Sequence, residues 1–271
     1  MTDIERALVI GATGNIGRIA VDLLHRRGVH VRALAREARR LPAGVEAVSA
    51  DVRNPGAWRT AADDVDAVLL IWPFMEAAGI EHVAPVLGRP GRRIAYVSAM
   101  HVRDDRTPAQ NGVWGQVEAA VRATGADWTL LRASGFATNT LQWAAAIRAG
   151  EPVRIPYVSA ARSLIHERDL AESAVAALTS PAHGRRSYVL SGPSAVTQAE
   201  QVRLLGGVAE EISPEEARAG MDPGFADAAL PYWASLVDNP EPVAGGVRDL
   251  TGHEARSFGQ WAADHAVDFR P

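Results

Sequence analysis

The chain has 271 residues, 47% of them hydrophobic, a formal net charge of −4 and no cysteine. This length accommodates one large domain, or a domain with a smaller lobe, around a sizeable core. The composition excludes a disulfide, a thiolate nucleophile and a Cys-ligated zinc. All 28 basic residues are arginine, so Schiff-base lysine chemistry is excluded too, and the negative balance argues against a general nucleic-acid binder. No apolar run approaches the roughly 20 residues of a membrane span. A strand starts almost at once, leaving no room for a signal peptide. A cytoplasmic protein with a small-molecule substrate and no membrane partner, a monomer or homodimer, is expected.

Strands and helices alternate through the first half. Strand one is predicted at residues 7–10. It is followed by Gly11-Ala12-Thr13-Gly14-Asn15-Ile16-Gly17 and a helix to about residue 27, with Ile16, Ile19, Ala20, Leu23 and Leu24 on its apolar face. Strand two is predicted at residues 29–34 and strand three at 45–49. Asn54-Pro55 then opens a helix, with Asn as cap and Pro in the first turn. Strand four, apolar throughout its centre, is expected at residues 66–72, a helix at 76–87, strand five at 93–98, a helix at 112–124 and strand six at 127–131. Past Gly150 the texture changes. Short strands are expected at residues 151–155, 163–166 and 187–190, with a helix at 167–178. Thr197-x-x-Glu200 and Ser213-Pro214-Glu215-Glu216 read as capping boxes, and further helices are expected at 222–237 and 257–265. The predicted fold is α/β: a Rossmann-type, doubly wound parallel sheet with helices on both faces over residues 1–150, and a smaller α/β, substrate-binding lobe over residues 151–271, interleaved with the first in one compact unit.

The glycine turn is the strongest functional signal. Its glycines allow a tight turn and close backbone approach to a pyrophosphate, and the helix beginning near Asn15 directs free N–H groups and its positive dipole end at the phosphates. Gly11, Thr13, Gly14, Asn15, Ile16 and Gly17 are therefore candidate cofactor residues. A methyl group added at Gly14 or Gly17 is expected to weaken cofactor binding and leave the fold largely intact. Strand two ends Ala33-Leu34-Ala35-Arg36, with no acid before Glu37. A guanidinium matches a 2′-phosphate, so NADP(H) is the expected cofactor, with Arg36 as phosphate clamp and Arg39 or Arg40 assisting.

With these residues in hand, the chain resembles the atypical short-chain dehydrogenase/reductase superfamily, in particular its NmrA-like, NAD(P)H-binding subgroup common in actinobacteria. The resemblance spans nearly the whole length. Besides the glycine turn it is carried by Ser49-Ala50-Asp51-Val52, Arg93-Ile94-Ala95-Tyr96-Val97-Ser98-Ala99, Asp127-Trp128-Thr129-Leu130-Leu131-Arg132, Ile165-His166-Glu167-Arg168-Asp169-Leu170-Ala171 and Tyr188-Val189-Leu190-Ser191-Gly192-Pro193. It implies that Asp51 and Val52 flank the adenine and that Ile71, Trp72 and Pro73 lie beside the nicotinamide ribose. Ser98 falls where related enzymes keep a catalytic serine, and the segment holding Phe136 and Asn139 is where relatives shape the substrate pocket. Trp72 and Phe74 either wall the substrate cleft or cover the sheet end. Ser98 either polarises a carbonyl or forms a turn.

One departure separates this chain from the superfamily pattern. Extended members read Tyr-x-x-x-Lys-x-x-x-Glu in the helix after strand five; here the slots hold Gln110, Trp114 and Glu118. Tryptophan has no titratable proton near neutral pH, so it stacks on an aromatic substrate or closes the pocket rather than acting as an acid. Glu118 shares a helix face with Trp114; it is either a catalytic group or a surface glutamate paired with an arginine. His101, directly after strand five, is the best-placed titratable donor. Asp169 is most simply a helix cap, and no cluster has metal-ligand spacing. These residues point to an NADPH-dependent reductase of a hydrophobic, aromatic or quinone-like small molecule, with secondary-metabolite or antibiotic tailoring as a context. The alternatives are a cyclase, isomerase or lyase on the same fold, and a cofactor-binding sensor without turnover.

Overall fold

The structure is a computed structural model describing residues 4–35, 41, 44–49 and 54–270. Arg36, Arg39, Arg40, Asp51 and Val52, named above as cofactor residues, lie outside the described residues. Two compact units are present, and the chain passes between them repeatedly. One comprises Met1–Ala133, Glu167–Leu190 and Gly246–His253; the other comprises Ser134–His166, Ser191–Gly245 and Glu254–Pro271.

In chain order, β1 (Arg6–Ile10), α1 (Asn15–Arg26), β2 (His30–Ala35), β3 (Glu46–Ser49), α2 (Pro55–Ala62) and β4 (Ala67–Leu70) are followed by α3 (Ile80–Leu87), β5 (Arg93–Ala99), α4 (Gly112–Arg122) and β6 (Asp127–Ala133). The second unit begins with a 3₁₀ stretch, Ala137–Trp143, then α5 (Ala144–Ala149), β7 (Val153–Ile155) and β8 (Ala161–Arg162). The chain re-enters the first unit for α6 (Glu167–Thr179) and β9 (Arg186–Leu190). It leaves for β10 (Val196–Thr197), α7 (Gln198–Leu204), β11 (Ala209–Glu211), α8 (Pro214–Ala219) and α9 (Pro223–Asp238). It returns for α10 (Gly246–Thr251) and ends in α11 (Phe258–Asp264) and α12 (Ala266–Phe269).

The first unit is a seven-stranded sheet in the order β3-β2-β1-β4-β5-β6-β9, parallel throughout. Parallel pairing requires crossover connections, and the helices that make them cover the sheet. Leu8, Ile10, Val68, Leu70, Ile94, Tyr96 and Leu130 point to one face and pack with Trp58 and Ala61 of α2, Val83 and Leu87 of α3 and Val117 and Val121 of α4. The helix α6 packs on α1 and against β4, β5 and β6. β9 joins the sheet as a parallel strand beside β6, and its crossover helix α6 lies in the same unit. The second unit has its own core, in which Trp143, Leu164, Val202, Phe258 and Trp261 pack together.

Three local expectations change in the structure, each because a side chain claims a backbone group. β4 is only residues 67–70, since the Asp66 carboxylate accepts from the backbone N–H groups of Glu5 and Arg6 at 2.9 and 3.0 Å and ties down the start of β1. The helix expected from residue 76 starts at Ile80, because the Glu76 carbonyl accepts from Trp72 Nε1 at 2.8 Å and Gly79 is left-handed at φ +93°. The strand expected at 163–166 is instead β8 one step earlier, antiparallel to β10. The Ser163 N–H is taken by Glu241 Oε2 at 2.9 Å, and Ile165 forms an isolated bridge with Phe136. The expected capping boxes are half made. Thr197 and Ser213 accept from the Glu200 and Glu216 N–H groups, but the two carboxylates pair with Arg203 and Arg154. The reciprocal box is at Ser257 and Gln260.

Candidate functional site

The strand order reverses between β1 and β4, so the carboxyl ends of these two strands form the topological switch point at which open parallel sheets bind ligands. Gly11 leaves β1 there with φ +76°, and a side chain on it would meet Ile71 Cβ, just past β4, at 3.3 Å. The turn closes through the Gly14 N–H donating to the Gly11 carbonyl at 3.0 Å. Thr13, Gly14 and Asn15 are exposed, whereas Ile16 and Gly17 are buried. Ile16 thus offers a backbone N–H to a ligand while its side chain is core. The N-terminus of α1 has no side-chain cap and no acid in its first turn; α2, α7, α8, α9 and α11 are capped by Asn54, Thr197, Ser213, Asp222 and Ser257. Uncapped N–H groups at an exposed turn fit an anionic pyrophosphate. The expected tolerance of a methyl at Gly17 is corrected. A Cβ there would lie 2.1 Å from the Gly11 carbonyl oxygen and 2.8 Å from Ala12 Cα, so this glycine is needed to pack α1 on its own turn.

Beyond β4, Ile71 is half-buried, Pro73 exposed and Trp72 half-buried against the core. The Trp72 ring lies 6.3 Å from that of Trp58 and 5.2 Å, edge-on, from Phe74. The Trp72 indole N–H donates to the Glu76 carbonyl, which fixes the ring against the core.

The carboxyl ends of β5 and β6 carry a buried polar cluster. Their register pairs Ser98 with Arg132, and Glu118 on α4 reaches both. Ser98 Oγ donates to Glu118 Oε1 at 2.6 Å; Arg132 Nε donates to Oε1 at 3.0 Å and its Nη2 to Oε2 at 2.8 Å. Arg132 also grips Asp104 in a fork at 2.6 and 3.2 Å. Arg122, one turn along from Glu118, lies 3.2 Å from Asp104 and 3.6 Å from Glu118. Ser98 and Glu118 are each 3% exposed. The Arg132 hydrogen bond holds the Asp104 carboxyl below the usual carboxylate range, and the Glu118 hydrogen bonds raise Arg132 above the usual guanidinium value. Burial, and then the Glu118 charge, pushes the Tyr96 phenol up; its hydroxyl is buried without a hydrogen-bond partner. Glu118 is paired with an arginine, but in the interior and not at the surface where such a pair was expected. Arg132 and Asp104 were not foreseen as site residues. The available signal was an arginine at an inward-facing position of an otherwise apolar strand, which requires a buried carboxylate.

His101 follows β5 and keeps an exposed edge. Its ring meets Trp114 edge-on, with centroids 4.9 Å apart and an interplanar angle of 86°. Partial burial lowers the imidazole pKa, the Arg106 charge lowers it further, and Glu118 acts in the opposite sense. The loop joining His101 to α4 is held by Asn111: its Oδ1 accepts from the Arg103 N–H at 3.0 Å and its Nδ2 donates to the Arg103 carbonyl at 2.8 Å. Gly115 makes room for this, since a Cβ there would lie 2.2 Å from Asn111 Cβ. Gln110, in the slot of the missing tyrosine, turns back to accept from the Thr107 N–H at 2.9 Å.

In the second unit, Phe136 is half-buried beside Ile165, and Asn139 is exposed on the 3₁₀ stretch. His166 is buried, with Nε2 3.3 Å from Asp264 Oδ2. In the first unit, Asp169 is a fully buried residue of the first turn of α6. The fold sets it near Glu172 and His253, with ligand-type atoms within 4.8 Å of one another. The His253–Glu172 hydrogen bond of 3.0 Å contributes to that proximity. Among the described residues, no helix is long and apolar enough to cross a membrane.

A parallel sheet of this order, with a glycine turn and an uncapped helix at its switch point, defines a dinucleotide-binding Rossmann protein. The chain belongs to the NAD(P)H-binding family, whose model matches residues 11–181. It is 36% identical to the (4-alkanoyl-5-oxo-2,5-dihydrofuran-3-yl)methyl phosphate reductase of Streptomyces griseus, over 97% of this chain and 99% of that one. It is 31% identical to the NAD(P)H azoreductase of Xenophilus azovorans, over 97% and 98%. The NADPH complex of an Escherichia coli NADPH-dependent quinone oxidoreductase superposes with a TM-score of 0.77 at 20% identity, over 95% of this chain and 99% of that one, a likeness of fold. The chain is an NAD(P)H-dependent oxidoreductase.

Proposed function

We propose that this chain uses NADPH to reduce a hydrophobic small molecule whose acceptor is a conjugated, electron-poor double bond of the quinone, azo or enone kind. The observation that carries this reading is the near-full-length likeness to two reductases, one named for an alkanoyl-oxo-dihydrofuranyl methyl phosphate, whose ring and alkanoyl chain are the hydrophobic part, and one for azo compounds. Both names describe an acceptor whose opened π bond leaves charge that is delocalised. Such an acceptor needs less proton help than a plain ketone, which agrees with a chain that has no lysine and holds Gln110 and Trp114 in the usual Tyr and Lys slots.

The backbone N–H groups at the start of α1 would hold the pyrophosphate, with Gly11 and Gly14 shaping the turn. Arg36 would clamp the 2′-phosphate and Asp51 and Val52 would flank the adenine. Ile71 and Pro73 would border the nicotinamide ribose, and Phe74 would meet the substrate. When bound, NADPH supplies the hydride. Ser98 and Glu118 would serve mainly to hold β5, β6 and α4 together, through their hydrogen bonds with one another and with Arg132. The test is NADPH oxidation by the purified protein with menadione, an azo dye, an α,β-unsaturated lactone and acetophenone. Turnover with the conjugated acceptors well above that with acetophenone is expected. NADPH binding without oxidation by any conjugated acceptor, or a preference for the ketone, overturns the reading.

A further inference from the structure

His101 lies in the turn just past β5 and Trp114 in the first turn of α4, in the slot where the superfamily pattern has lysine. We infer that His101, held edge-on by Trp114, is the residue that donates a hydrogen bond to the substrate's acceptor atom, and that Trp114 is its positioning residue rather than a platform for substrate. This rests on the reductase reading above.

Four observations support it. His101 sits directly past the carboxyl end of a parallel strand, the edge at which such sheets bind ligands. The ring contact with Trp114 fixes the imidazole in a perpendicular arrangement that aromatic pairs favour. The connecting loop is pinned at both groups of Arg103 by Asn111, and Gly115 permits α4 to approach it, so the donor is placed before substrate arrives. The third-slot Glu118, by contrast, has its carboxylate engaged by Ser98 and Arg132.

The charged groups acting on His101 are Arg106 of its own loop and Glu118 of α4, of opposite sign, and partial burial outweighs both. The imidazole is thereby kept neutral around neutral pH. A neutral imidazole is too weak an acid to surrender its N–H proton, but it is a good hydrogen-bond donor. In the reduction, the acceptor's π bond breaks, a C–H or N–H bond forms with the incoming hydride, and the electron pair settles on the conjugated oxygen or nitrogen that His101 bonds. Water then supplies the proton that completes the product, while the reduced dinucleotide leaves oxidised. His101 ends the step with its protons unchanged.

The experiment combines an NMR titration of the imidazole in the cofactor-free protein with steady-state kinetics on menadione. The wild-type ring is expected to titrate below the ordinary histidine value, and Trp114→Ala to move it back up toward that value. His101→Ala should lower kcat by about a hundredfold, with His101→Gln, which keeps an N–H donor, recovering part of it. Trp114→Ala should lower kcat more than it raises KM, and Trp114→Phe should restore most of the loss. Wild-type kcat in His101→Ala overturns the inference. So does Trp114→Ala that leaves the imidazole titration unmoved and raises KM alone, because Trp114 would then be a substrate platform. Wild-type protein that binds NADPH but oxidises it with no conjugated acceptor overturns the reductase reading and the part given to His101. The titration still decides, independently, whether Trp114 sets the ring.

Discussion

The turn after β1 and the contact of α4 with β5 and β6 both lie at carboxyl ends of the same sheet, and they are built on opposite plans. The turn is made of backbone. Thr13, Gly14 and Asn15 are exposed and the helix they open has no side-chain cap, so backbone N–H groups are left for an anion. The α4 contact is made of side chains that satisfy one another: a buried serine, glutamate and arginine, with a half-exposed Arg122 and an exposed aspartate closing the fork. The first plan leaves polar groups open for a ligand. The second engages the Ser98 hydroxyl and the Glu118 carboxylate with protein partners.

The contrast can be broken most forcefully at Glu118. Glu118→Ala removes the acceptor from Arg132 and Ser98 and leaves a buried charge without its main partner, so urea unfolding should show a loss of about 3–5 kcal/mol. A variant as stable as wild type but devoid of turnover would return Glu118 to catalysis. Next is Gly17→Ala. The clash with the Gly11 carbonyl should cost about 1–3 kcal/mol of stability and weaken NADPH binding as well. Gly14→Ala, whose methyl would stand 3.3 Å from the same oxygen, should weaken binding with little change in stability. If the two variants behave alike, the division between packing and phosphate glycines is wrong. Arg36→Ala should reduce the NADPH-over-NADH preference about tenfold, equivalent to about 1.4 kcal/mol in a fluorescence titration; an unchanged preference removes Arg36 from the cofactor site. The smallest effect is expected for Asp104→Asn, since Asp104 is mostly exposed: less than about 1 kcal/mol at neutral pH. Its carboxyl is held below the usual range in the folded protein. That stabilisation is present above the unfolded value and is lost as pH falls through the folded one. The difference between Asp104→Asn and wild type should therefore vanish on acidification below about pH 4.

Legibility in the sequence follows the same division. The alternation of strands and helices, the parallel sheet and the glycine turn were all readable, because they depend on period, burial pattern and backbone freedom over a few residues. The 163–166 strand was misplaced because Glu241, far along the chain, takes the Ser163 N–H. The helix before Ile80 was overextended because a tryptophan indole claims a carbonyl. Trp114 was legible as a departure from the family pattern. That its ring is occupied by His101 was not, since the two meet only when the loop between them folds back onto α4.

What the sequence determined by itself is the scaffold and its cofactor end: a Rossmann sheet with a phosphate turn and, with no lysine anywhere, no Tyr-Lys pair. These rest on short-range physics, in which helix and strand periods, glycine dihedrals and uncapped N–H groups act within one or two turns of chain. Only the tertiary structure decided what the polar residues after β5 do. Ser98, Glu118 and Arg132 become one cluster because strand register sets Ser98 beside Arg132 and α4 packs Glu118 over both. A buried carboxylate takes its role from the partners that surround it in space.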